Sequence, residues 1–326
     1  MSRLVATRRA AVGIAAVGGI ATLAAFGTGN YTVRFAVGEA GIILNTTDAG
    51  ASWSQQGSGV IKNLNGVTFS GTSDGCAVGD SGTATATTDG STWTPAASVP
   101  TTAKLNAVDG GRVVESFSFW AVGSGGTILQ SFDCSNWNVQ TSGTTKNLNG
   151  VSFCHCNSAD VWAVGDYGHI FATTDGFTWS PETSGVSQGL ESVFFVDSQT
   201  GWAVGRRGVI IHTVDGGTTW TKQVSGTTLS LDGVAFSDSQ HGYVVGANGL
   251  ILATVNGGAT WTAQKSHTSV NLEAVSTIVP FDESTFGDYF DAIAVGKGGV
   301  ILMTQDGGTT WTKSPSGTTQ NLSGTS

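Results

Sequence analysis

The stretch "GWAVGRRGVIIHTVDGGTTW", Gly201 to Trp220, decides the fold. Two short apolar runs flank the turn "GRRG", and the second run leads into Thr-x-Asp-x-Gly-x-Thr-Trp. That tail recurs as "TTDAGASW" at Trp53, "TTDGSTW" at Trp93, "SFDCSNW" at Trp137, "TTDGFTW" at Trp179, "TVNGGATW" at Trp261 and "TQDGGTTW" at Trp311. The seven tryptophans are 40, 44, 42, 41, 41 and 50 residues apart, a period that marks a repeat architecture before any fold is named.

Each copy also carries an "NLNGVSF"-like segment (Leu64, Leu105, Leu148, Leu190, Leu231, Leu272) and a "WAVG"-like segment ended by Gly. A "GxI" run precedes the Trp turn, so each repeat holds four short strands. Runs such as "GVIIHT" are apolar on consecutive residues, as for strands covered on both faces. Four-stranded antiparallel sheets repeating every forty-odd residues predict an all-β, seven-bladed propeller. The innermost strand of blade one is missing from its own repeat. Either "NLSGTS", residues 321–326, or the segment from Ala21 to Phe26 could supply it.

The Trp turn resembles the Asp-box, or BNR repeat, of sialidases and other propellers. Its parts have local work to do: the carboxylate accepts turn N–H groups, Gly takes positive φ, and the indole lies between sheets. Blade six has Asn256 at the acid position, which accepts the same hydrogen bonds but cannot donate a catalytic proton. Blades two, three and four have one residue fewer between acid and Trp. Asp48, Trp53, Asp89, Trp93, Asp133, Trp137, Asp175, Trp179, Asp215, Trp220, Asn256, Trp261, Asp306 and Trp311 are therefore read as structural, and no catalytic residue is assigned. The arginine set and Arg-Ile-Pro signature of a sialidase do not occur.

The turns between second and third strands share one rim with the blade-to-blade links, and the Asp-boxes occupy the other. Between their glycines these turns read Glu-Ala, Asp-Ser, Ser-Gly, Asp166-Tyr167, Arg206-Arg207, Ala-Asn248 and Lys297-Gly. Acids lie on blades one, two and four, and bases on blades five and seven. Such a split arc orients a protein partner, and Arg206, Arg207, Lys297, Asn248, Asp166 and Tyr167 are its candidate contacts. Blade seven adds an insertion, "VPFDESTFGDYFDA" from Val279 to Ala292. With Phe281, Asp282, Glu283, Phe286 and Tyr289 it is a second candidate docking element.

Charged residues are only 11% of the chain, and the net charge of −9 becomes −12 without Arg3, Arg8 and Arg9. No basic field exists to hold nucleic acid. Residues 1–26 pair a basic start with an uncharged apolar run, the pattern of an export signal or an N-terminal membrane anchor, leaving residues 27–326 as the propeller. Cys76 fills the slot held elsewhere by Trp, Phe, Tyr or Ile and reads as a small buried hydrophobe. In an exported domain the blade layout allows a disulfide between Cys134 and either Cys154 or Cys156. His155 points away from both sulfurs in extended chain, and the insertion's carboxylates lack calcium-loop spacing, so neither metal nor cofactor is assigned.

Taken together, "WAVG", "GxI" and "DGGTTW" resemble the photosystem II stability and assembly factor family over residues 31–320. The resemblance implies a seven-bladed propeller that acts without catalysis, binding membrane-protein subunits through an arginine patch. Arg206 and Arg207 are the residues it carries over. The extended patch is not matched, since blades one, two and four show Glu39, Asp80 and Asp166. Two other readings stand beside it: a self-associating structural subunit of a cell-surface assembly, and a glycan-binding or glycan-processing propeller.

Overall fold

The computed structural model describes residues 23–24, 32–70, 73–113, 116–154, 156, 159–278 and 291–326. Their strands form seven antiparallel sheets, each with four strands in simple up-and-down order; the first sheet holds one further short strand. Blade five is typical: Leu190–Phe195 innermost, then Gly201–Gly205, Val209–Thr213 and Thr221–Gln223 outermost. Its second strand is buried at every residue, which explains why the "WAVG" segments are apolar without alternation.

The apolar cores lie between neighbouring blades. Phe236 on the inner strand of blade six stacks on Trp202 of blade five at 3.6 Å and meets Trp261 of its own blade edge-on at 5.9 Å. One blade earlier, Phe195 stacks on Trp162 at 3.5 Å and meets Trp220 edge-on at 5.8 Å. These two interfaces thus use one residue from each of three repeated segments, the "WAVG" aromatic, the "VSF" aromatic and the Asp-box Trp. Removing one breaks a contact on both sides of an interface.

The ring closes through the C-terminal segment. Leu322–Thr325 pairs with Thr32–Gly38 at the inner edge of blade one, register Ala36 to Thr325, and contacts the inner strands of blades two and seven. Leu23–Ala24 pairs further along the same strand, Leu23 opposite Val33. Both segments left open by the sequence therefore meet one edge, and the C-terminal one holds the position of an innermost strand. The rest of the leader and residues 279–290 of the insertion lie outside the described residues, including Phe281, Asp282, Glu283, Phe286 and Tyr289. No helix among the described residues is long and apolar enough to cross a membrane.

Candidate functional site

On the Asp-box rim the seven turns repeat one hydrogen-bond scheme in two lengths. In the longer box the Asp215 carboxylate accepts the Thr213 hydroxyl at 2.8 Å, the Thr219 N–H at 2.8 Å and the Thr219 hydroxyl at 2.7 Å. In the shorter box Asp175 accepts the Thr173 hydroxyl at 2.9 Å and the N–H groups of Phe177 and Thr178 at 2.8 and 2.7 Å. The missing residue moves the capped amides one step closer in sequence and leaves the scheme intact. Asn256 reproduces it, accepting from the Thr254 hydroxyl at 3.0 Å and the Thr260 N–H at 2.9 Å. The Ser52 hydroxyl and N–H hold the Asp48 carboxyl down to about 2. Backbone N–H groups likewise lower those of Asp89, Asp175 and Asp215. Such groups stay ionised and are poor proton donors.

The box tryptophans are also tied across blades. Trp93 donates to Gln56 Oε1 at 2.7 Å, Trp220 to Glu182 Oε2 at 3.1 Å, Trp261 to Gln223 Oε1 at 3.1 Å and Trp53 to Ser314 Oγ at 3.1 Å. In all four the acceptor sits on the outer strand of the preceding blade. Trp137 donates within its own box to the Cys134 carbonyl at 3.0 Å, and the buried Nε1 groups of Trp179 and Trp311 have no hydrogen-bond partner among the described residues.

The opposite rim is built on a different economy. Each turn residue between the glycines at its second position has positive φ, from 54° at Ala40 to 68° at Gly125, with Tyr167 at 62°, Arg207 at 60° and Asn248 at 58°. On blades one, two and four the first turn residue is an acid held by strand-one amides. Glu39 accepts Asn321 Nδ2 at 2.7 Å, Asp80 accepts Asn63 and Asn65 at 2.9 and 3.0 Å, and Asp166 accepts Asn147 at 3.0 Å. Three of these asparagines, joined by Asn271 of blade seven, also accept the tip N–H of the preceding blade: Asn63 from Ala40, Asn147 from Gly125, Asn271 from Asn248 and Asn321 from Gly298, at 2.9 to 3.2 Å.

Blades three, five and six depart from this latch. Lys104, Gly189 and Ser230 stand where the amides would be, leaving the tips of Ser81, Tyr167 and Arg207 without that partner. The next position changes too. Asn65, Asn106 and Asn149 each donate to the inner-strand Leu carbonyl of the following blade, at 2.8 to 3.0 Å. Blades five, six and seven carry Glu191, Asp232 and Glu273 at this bulged position, and a carboxylate cannot make that donation. Burial raises all three carboxyls above their ordinary range. Arg206 Nε donates to Glu191 at 2.6 Å, its Nη2 lies 3.6 Å from Asp166, and Lys297 Nζ lies 3.8 Å from Glu273.

Charge is therefore inverted within the blade. Blades two and four place an acid on the turn over an amide on the strand, while blades five and seven place a base on the turn over an acid. The candidate residues are brought to one rim but do not act alike. Arg206 and Lys297 are neutralised from below, Asp166 is held by Asn147 and approached by Arg206, and Lys146 Nζ lies 5.1 Å from the centre of the exposed Tyr167 ring. Arg207 is exposed and forms no ion pair among the described residues. Glu191, Asp232 and Glu273 were not candidates in the sequence. The only signal was the third letter of "NLNG" turning acidic in three successive repeats.

The cysteine pairing corrects the expectation from sequence. Cys134 is joined to Cys76, not to Cys154 or Cys156, and those two are joined to each other. Cys76 is buried as expected but is not a lone hydrophobe. The reason is the repeat geometry: the "WAVG" aromatic of one blade faces the residue after the acid in the next Asp-box. Trp162 Nε1 donates to the Gly216 carbonyl at 3.0 Å and Trp202 Nε1 to that of Gly257 at 3.1 Å. Cys76 and Cys134 occupy these same two places in blades two and three.

A profile of the family described as Photosynthesis system II assembly factor YCF48 matches residues 129–230 and 223–324, more than half of the chain. Among solved structures the chain is similar to YCF48 from Cyanidioschyzon merolae, at 20% identity and TM-score 0.64 over 84% of this chain and 91% of that one. It is similar to a structure of YCF48 bound to D1 peptide, at 19% identity and TM-score 0.64 over 84% and 88%. A GH74 xyloglucanase from Xanthomonas campestris shares the fold at 14% identity and TM-score 0.65, over 91% of this chain and 54% of that one. No curated protein sequence matches.

Proposed function

This chain belongs to the photosystem II assembly factor YCF48 family, and from that membership we propose that it is a non-catalytic propeller that docks on a protein of a membrane complex during assembly. The docking surface is the turn rim from blade four to blade seven. One observation carries this reading: at the bulged position of blades five to seven the donating amide gives way to a partly buried carboxylate, two of them under Arg206 and Lys297, with Arg207 and Tyr167 presented at unlatched tips. A partly buried carboxylate that forfeits a blade-to-blade hydrogen bond weakens the fold, so a binding role explains it better than packing does. The mixed charge suits a peptide segment bearing an acid for Arg207 and an aromatic or basic side chain for Tyr167 and the acids below.

Residues 1–26 would deliver the propeller across a membrane, where its disulfides form. The first probe for the rim is a D1 peptide, because the similar structure carries one. Binding measured by fluorescence anisotropy is expected to weaken at least tenfold in the Arg206→Ala/Arg207→Ala double variant. Equal binding by wild type and double variant would remove the rim from the function.

One observation favours a second reading: Glu191, Asp232 and Glu273 occupy successive blades and share raised carboxyls, as a sugar-cleaving acid requires. Against it, Arg206 and Lys297 engage two of the three. Incubation with soluble β-glucans decides it; no release of reducing ends is expected.

A further inference from the structure

We propose that Cys154–Cys156 is a thiol–disulfide exchange site that takes a protein dithiol as substrate, whereas Cys76–Cys134 is a permanent staple. The two bridges differ in loop length and in exposure. Cys76 and Cys134 are 58 residues apart, join neighbouring blades and are both buried. Cys154 and Cys156 are separated by 2 residues; Cys154 is buried and Cys156 is partly exposed. A thiolate can reach a disulfide only through its accessible sulfur. Chain-closure entropy, which grows with the logarithm of loop length, favours the long bridge over the short one by roughly a hundredfold in the equilibrium for reduction.

The neighbouring repeats show that the fold does not need the short bridge. The matching hairpins in blades five and six close through Val196 N–H to Thr200 C=O at 3.1 Å and Ser237 N–H to His241 C=O at 3.0 Å. Each is capped by a carboxylate: Asp197 accepts from Gln199 and Thr200, and Asp238 from Gln240 and His241. In blade four the hairpin still closes, Cys154 N–H to Asp160 C=O at 2.8 Å, but it is two residues longer and carries the disulfide. The Asp160 carboxylate belongs to the same cluster, its oxygen within 4.8 Å of both sulfurs.

The chemistry balances as a two-electron exchange. A substrate thiolate attacks Sγ of Cys156, the Cys154–Cys156 bond breaks, and its electron pair leaves on Cys154 as thiolate. The second substrate thiolate then attacks the substrate sulfur of the mixed disulfide and releases Cys156 as thiolate. The substrate dithiol becomes a disulfide, and its two protons finish on Cys154 and Cys156. In the reverse direction Cys156 attacks the substrate disulfide and Cys154 resolves the mixed disulfide, and Asp160, with its oxygen within 4.8 Å of both sulfurs, is the group placed to accept their protons.

The experiment equilibrates the full chain in graded dithiothreitol buffers, blocks thiols with a mass-tagged alkylating reagent and maps the tagged peptides, while tryptophan near-ultraviolet circular dichroism reports the fold. The expected result is tagging of Cys154 and Cys156 at a reduced-to-oxidised ratio at least tenfold below that needed for Cys76 and Cys134, with the dichroism unchanged. Release of all four together, or of Cys154 and Cys156 only as the dichroism collapses, would overturn the proposal. A second arm exposes Cys154→Ser and Cys156→Ser chains to oxidised glutathione. Rapid adduct formation at Cys156 in the first and slow formation at Cys154 in the second is expected; equal rates would contradict Cys156 as the point of attack.

Discussion

The two rims of the disc treat their charges in opposite ways. On one rim each Asp-box acid is held by its own turn, and the sequence repeats because the backbone demands it. On the turn rim the flanking glycines set the backbone, so the residues between them and beneath them are free to change, and they invert their charge between blade four and blade five. Repetition marks what the fold needs; the break in repetition marks where something else is selected.

The largest test of this contrast concerns the interfaces that both rims share. Trp202 is fully buried and stacked on Phe236, so Trp202→Ala is expected to lower stability by about 3–5 kcal/mol in urea unfolding. A loss below about 1 kcal/mol would show that the interfaces do not hold the blades together. Next in size, Asp215→Ala should lower the melting temperature while Asp215→Asn changes it little, since Asn256 already makes the same bonds in blade six. An equal drop in both variants would mean that the ionised carboxylate itself is required.

The turn rim gives the opposite sign. Asp232→Asn restores an amide where blades two to four have one, and is expected to stabilise the chain by about 1 kcal/mol near neutral pH while weakening partner binding. The two rims also part in their response to acid. The Asp48 carboxyl is held down to about 2, so its contribution is present above the ordinary value and is lost as pH falls towards 2. The carboxyls of Glu191, Asp232 and Glu273 are raised, so their unfavourable contribution is present at neutral pH and is relieved as pH falls through the raised values. Unfolding across pH is expected to lose its acid limb in part with Asp48→Asn, and its neutral-range slope in part with Asp232→Asn. The smallest stability effect belongs to Arg207→Ala, within about 0.5 kcal/mol of wild type, because the side chain is exposed and unpaired among the described residues.

Much of this was legible in the chain because period and chemistry agree. The "WAVG" runs, the Gly-x-x-Gly turns and the Trp boxes fix blade number, strand order and the two rims. The disulfides are not legible in the chain because the slot of Cys76 reads within its own blade, whereas its partner lies in the next one. Aligning Trp162 with Gly216 across the interface would have pointed Cys76 at Cys134, but that neighbour relation is a product of packing and not of spacing. The partly buried acids escape the sequence for a related reason. Glu191, Asp232 and Glu273 sit at a bulge, and a one-residue register shift leaves no mark on strand periodicity. Arg206 was legible as a charge but not as one neutralised by Glu191, which leaves Arg207 as the more available of the two.

The docking role is tested most directly by placing a benzophenone side chain at position 207 on the turn rim or at exposed position 218 on the Asp-box rim, each in an otherwise native chain in its host. Irradiation is expected to join the first chain, and not the second, to a membrane-protein subunit. Crosslinking from position 218 alone would contradict the assignment of the turn rim as the binding surface.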